Sequence, residues 1–72
     1  MERDSYRGYV VWGHAIAQQD GLLEHERYAA SGTITRETRF VEASGILGLF
    51  DSEQEAQGVG LAWARAWIDT HG

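Results

Sequence analysis

The sequence predicts an α+β domain, a three-stranded antiparallel β-meander followed by one C-terminal α-helix packed on one sheet face. Three observations predict it. Residues 52–71 carry a helix start signal and a long apolar periodicity. Residues 6–46 are rich in β-formers that alternate, with no comparable helical period. Turn-forming residues divide that region at Asp20-Gly21 and at Arg36-Glu37-Thr38. At 72 residues the chain makes one small domain, residues 1–72, with a stability of roughly 4–10 kcal/mol.

Residues 1–5 are charged and are expected to fray. Residues 6–18 read as the first strand. One of its faces carries Tyr9, Val11, Gly13, Ala15 and Ala17, and the other Val10, Trp12, His14 and Ile16. Asp20-Gly21 suits a hairpin, because both residue types tolerate positive φ. Residues 24–35 form the second strand, with Tyr28, Ala30, Gly32 and Ile34 on one side and the wetter set Arg27, Ala29, Ser31 and Thr33 on the other. Residues 39–46 form the third, with Phe40 and Val41 on opposite faces. Residues 45–50 are apolar but broken by two glycines, as in a bulged strand end or a segment crossing to the helix.

In the helix, Ser52 can cap the first turn, with Glu55 three residues on, and Glu53 and Glu55 suit the positive end of the dipole. His71 and Gly72 suit the other end. At 100° per residue, Ala56, Val59, Gly60, Trp63, Ala66 and Trp67 share a face expected to lie on the sheet. Gly60 fits a close approach there. A neighbouring stripe of Gln57, Leu61, Ala64 and Ile68 widens the apolar arc. It serves either a curved sheet touching both flanks or a second chain.

The formal net charge is −5, and Arg is the only strong base. That balance argues against nucleic acid and anionic membranes, which need a basic face. There is no cysteine, hence no disulfide, thiolate nucleophile or Cys-based metal site. No run approaches spanning length and residues 1–5 lack a signal pattern, so a cytoplasmic location is expected. A composition without Lys, Asn or Pro but with much Ala, Gly and Arg suits GC-rich bacterial coding.

No catalytic, metal or cofactor motif emerges, and an enzyme is not expected. His14, His25 and His71 lack metal-ligand spacing. Glu24 and Glu26 share one strand face beside a turn, and Glu53 and Glu55 are explained by capping. No hydroxyl among Ser31, Thr33, Thr35 and Thr38 lies in a nucleophile elbow. The glycines of residues 45–50 match neither a dinucleotide fingerprint nor a P-loop. Arg27, Arg36 and Arg39 with Thr33 and Thr35 could read DNA from a sheet laid in the major groove, against the carboxylates of Glu24, Glu26, Glu37 and Glu42. Trp12 is core if the helix covers its face; otherwise it is a docking hot spot.

Tyr6-Arg7-Gly8-Tyr9, then Phe50-Asp51-Ser52-Glu53-Gln54-Glu55-Ala56, then Trp63-Ala64-Arg65-Ala66-Trp67-Ile68-Asp69, resemble a group of small proteobacterial sheet-plus-helix domains of no assigned activity. The likeness spans nearly the whole chain and implies that fold. Ser52-Glu53-Gln54-Glu55-Ala56 is also distantly similar to the helix start of HicB-like antitoxins, which run three strands into such a helix. The chain lacks their Pro-rich, Gly-Cys segment before the third strand.

Together these readings point to a protein-interaction module that self-associates, as a homodimer, by burying Leu61, Ala64 and Ile68 or Val10, Trp12 and Ile16. The alternative is an antitoxin-like or DNA-binding regulator using the arginine-bearing strands.

Overall fold

The structure, a computed structural model, describes residues 1–19 and 26–72. The expected Asp20-Gly21 turn, together with Leu22, Leu23, Glu24 and His25, lies outside the described residues. The order is β1 (Glu2–Tyr6), β2 (Tyr9–Gln19), β3 (Glu26–Arg36), β4 (Arg39–Ala43), β5 (Gly48–Phe50) and α1 (Glu53–His71). The α+β class is as expected, but among the described residues the sheet has five strands where three were expected. All pairings are antiparallel, in the order β1-β2-β3-β4, with β5 also on β3.

Both differences arise from turns. Glu2–Tyr6, within the stretch expected to fray, is instead paired as β1, because Arg7-Gly8 closes a two-residue hairpin that sets Glu2 to Tyr6 against Gly13 to Tyr9. Positive φ at Arg7 (52°) and Gly8 (87°) matches the right-handed strand twist. The expected third strand is divided. β4 pairs the C-terminal half of β3 and β5 its N-terminal half. Across the break, the Ser44 and Leu47 N–H groups donate to the carbonyls of Gly32 and Ala30 at 2.9 and 2.8 Å. The Gly32 N–H donates to Ser44 Oγ at 2.8 Å. Residues 45–50 are thus the bulged continuation of the strand.

Helix α1 starts where the sequence says it should. Ser52 Oγ accepts from the Glu55 N–H at 2.9 Å, and the Gly72 N–H donates to Ile68 O at 2.8 Å. Its inward face is rotated from the expected one. Ala56, Gln57, Gly60, Leu61, Ala64 and Ile68 are buried, Trp63 and Trp67 are half-buried on the flank, and Ala66 is exposed.

Three glycines explain the rotation. Gly13 and Gly32 are partners across β2 and β3. A Cβ on Gly13 would collide with the Gln57 carbonyl oxygen and lie 2.9 Å from Leu61 Cγ. A Cβ on Gly32 would lie 2.5 Å from the Gly60 carbonyl oxygen and 2.8 Å from Trp63 Cε3. One on Gly60 would run into the Ser31 carbonyl. Backbone meets backbone at this crossing, so the gap admits small side chains and the indoles move aside. Val11, Ile34, Leu61, Ala64 and Ile68 form the core, fringed by Tyr6, Tyr9, Val41, Trp63 and Trp67.

Candidate functional site

Because α1 covers the Val11, Gly13, Ala15 side of β2, the other sheet face is open. The pairing register lays out its rows. Val10 stands beside Ser5 on β1 and Thr35 on β3, with Phe40 beyond. Trp12 stands between Arg3 and Thr33, with Ala43 beyond. His14 pairs with Ser31. Ile16, Ala29 and Leu49 make an unbroken apolar row over β2, β3 and β5.

Polar ties hold the rings of this face across the strands. Trp12 Nε1 donates to Thr35 Oγ1 at 3.0 Å, one step diagonally from its direct partner. His14 Nε2 meets Thr33 Oγ1 at 3.0 Å on the parallel diagonal. The Arg3 guanidinium carbon sits 5.3 Å from the Trp12 ring centroid, within cation–π range. Beside it lies an open depression of about 420 Å³ lined by Arg3, Asp4, Ser5, Val10, Trp12, Thr35 and Thr38. Around these fixed groups, large apolar side chains reach solvent: Ile16 is 46 % exposed, Leu49 53 % and Phe40 66 %.

The charge of this face is unlike that of the chain. By register, Arg3, Arg27 and the titratable His14 point to the open side, and no carboxylate does among the described strand residues. Asp4 reaches the rim of the depression from the helix side of β1, where its Oδ2 lies 3.3 Å from Arg65 Nη2.

Of the two surfaces expected from the sequence, only one is a surface. Leu61 (6 % exposed), Ala64 (0 %) and Ile68 (2 %) are the centre of the core. The expectation of a contact stripe there is corrected by the glycine crossing, which turns those residues inward. Val10, Trp12 and Ile16 lie together on the open face. Phe40 and Leu49 complete that face and were not foreseen as part of it. Their alternation with Val41 and Phe50 was the available signal, but it needs the strand break to be placed first.

The arginines expected to act together are divided. Arg27 lies on the open face beside Gln18. Arg36 and Arg39 are partners at the β3–β4 turn, and the Arg36 guanidinium carbon lies 5.1 Å from the ring of Tyr9, on the helix side. Thr33 and Thr35 are occupied by His14 and Trp12.

A second polar cluster joins the β1–β2 hairpin to the helix end. The Tyr6 hydroxyl lies 2.8 and 2.9 Å from the two Asp69 carboxylate oxygens and donates to them. Arg7 Nη1 donates to Asp69 Oδ1 at 2.9 Å. The hydrogen bond from Tyr6, then that from Arg7, holds the Asp69 carboxyl below its usual range. The same bond raises the Tyr6 hydroxyl above its usual value. Nearby, His71 stacks on Trp67 with centroids 4.6 Å apart. This cluster reads as a clasp between sheet and helix.

His14 with Thr33 is an imidazole–hydroxyl pair, but among the described residues no carboxylate hydrogen-bonds the imidazole as in a hydrolytic triad. Among the described residues, no three His, Cys, Asp or Glu side chains gather as metal ligands. Among them too, no helix is long and apolar enough to cross a membrane. Comparison with family models, with curated proteins and with solved structures found no match to this chain.

Proposed function

We propose that the chain is a protein-interaction module of the cytoplasm that pairs with a second copy of itself through the open face of its sheet. The observation that carries this is the Ile16–Ala29–Leu49 row, flanked by Trp12 and Phe40, on a face that α1 leaves uncovered and to which no carboxylate among the described strand residues points by register. Two such faces can stack as in a sandwich, about 10 Å apart.

The area suffices. Two 11-residue strands and their neighbours span roughly 35 Å by 15 Å, or about 500 Å² per copy, at standard rise and strand spacing. The pair then buries about 1,000 Å², the floor for a biological interface. Edge-to-edge pairing is disfavoured by comparison. β1 presents Glu2, Arg3 and Asp4, while the opposite edge is interrupted by a register shift and by residues 44–47.

Light scattering and sedimentation equilibrium test the reading. The wild type is expected at twice the monomer mass, and the double variant Ile16→Glu/Leu49→Glu at monomer mass with an unchanged circular dichroism spectrum. Leu61→Glu or Ile68→Glu is expected to unfold the chain, because those side chains hold the core. A wild type that stays monomeric at high concentration overturns the proposal.

A further inference from the structure

Resting on that reading, we infer that the pairing is gated by protonation of His14: two copies join while this imidazole is neutral and separate as it becomes charged.

The position of His14 carries the argument. β2 runs Tyr9–Gln19 and β3 runs Glu26–Arg36. Their middle residues are His14 and Ser31, which are register partners. Since β2 and β3 are the inner strands of the sheet, this pair marks the middle of the open face. Two identical faces overlap most when the two-fold axis passes through their middles, and residues beside such an axis meet their own symmetry mates. Face-to-face pairing therefore brings the two His14 rings together in the part of the interface that loses water first.

The surroundings set the sign. From β1, Arg3 shares the face with His14, while Glu2 stands opposite Gly13 and belongs to the helix side. From β3, Ser31 and Thr33 are uncharged, and the charge that β3 adds to the face is Arg27. α1 lies beneath the sheet, so its carboxylates are on the far side. A charged imidazole in the paired state would face its mate on a face whose charged side chains, among the described strand residues, are the cations Arg3 and Arg27, with Asp4 reaching only the rim beside Arg3, and burial penalises it further. In the separate chain the ring is half-buried, and the Thr33 hydroxyl can accept from an imidazolium or donate to a neutral nitrogen. Imidazole is the side chain that changes charge between about pH 5 and 8, so the gate works in that window.

The experiment is sedimentation equilibrium of wild type and His14→Gln at about pH 8 and pH 5.5, with circular dichroism at both. The glutamine variant keeps a hydrogen-bonding side chain facing Thr33 and removes the titration. The wild type is expected to dimerise at the higher pH and to bind itself at least about tenfold more weakly at the lower. His14→Gln is expected to dimerise equally at both. Dimers of equal strength at both pH values overturn the gate and leave self-association standing. Weakening that persists in His14→Gln overturns the role of His14, and so does weakening that accompanies loss of fold. A wild type that is monomeric at both pH values overturns the gate and the self-association together.

Discussion

Alanine at Gly58 and alanine at Gly60 should move stability in opposite directions. Both positions lie inside α1, two residues apart. Local propensity alone gives each substitution a gain of about 0.8–1.0 kcal/mol. A Cβ on Gly58 meets nothing within 4 Å, so that gain is expected in full. A Cβ on Gly60 overlaps the Ser31 carbonyl oxygen and lies 2.9 Å from its carbon and 3.0 Å from Gly13 Cα. All three atoms are backbone, so relief requires the helix to lift from the sheet. Overpacking of this kind costs about 1–3 kcal/mol, and the upper end applies where no side chain can yield. Set against the propensity gain, the net loss is about 2 kcal/mol. For a chain of this length, 1 kcal/mol shifts the midpoint by about 4–8 °C. Thermal melts followed by circular dichroism should thus show Gly58→Ala about 4–8 °C above wild type and Gly60→Ala about 8–16 °C below it. A Gly60→Ala protein melting at or above the wild type would refute the backbone crossing, and with it the reason given for the inward turn of Leu61, Ala64 and Ile68.

Two further outcomes follow from the turns and the clasp. Glu37 and Thr38 close the β3–β4 hairpin at φ of 51° and 64°, in a region that costs side-chain-bearing residues about 1–2 kcal/mol each. Replacing them by Asn-Gly should stabilise the chain by about 1–2 kcal/mol, and an unchanged midpoint in urea would show that the turn carries no strain. Asp69 binds its proton less readily in the folded chain than at its ordinary value of 3.8. Its contribution is therefore complete above about pH 4 and fades as pH falls through the lower folded value. Asp69→Asn should weaken the chain at neutral pH and approach the wild type in acid. Parallel stability curves down to about pH 2 would rule out the clasp as their cause.

The helix was legible because its signals are local. Ser52, the acidic first turn and Gly72 each act on backbone within four residues of themselves, and a single chain displays them fully. The face it buries was not legible. Amphipathic periodicity reads size and greasiness, and by that measure Trp63 and Trp67 outweigh Ala64 and Gly60. The deciding fact was the pairing of Gly13 with Gly32, residues 19 positions apart, visible only once the strand register is fixed. The same dependence hid β1. Arg7-Gly8 lacks the Asn-Gly or Asp-Gly signature, so residues 6–18 read as one strand behind a frayed terminus. The partition of Val10, Trp12, His14 and Ile16 from Val11, Gly13 and Ala15 was legible from alternation alone. Which set the helix would cover was settled by those two small residues on the inner strands.

The division of labour along the chain has a consequence for its biogenesis. The roof over Val11 and Ile34 is made from residues 56–68, and the clasp on the first hairpin comes from Asp69. A ribosome delivers these parts after every strand has already emerged. The nascent meander must therefore wait with one greasy side bare, and this unit cannot consolidate piecemeal from its N-terminal end. Synthesis arrested shortly before Ile68 would leave a chain with all its strands and no stable fold.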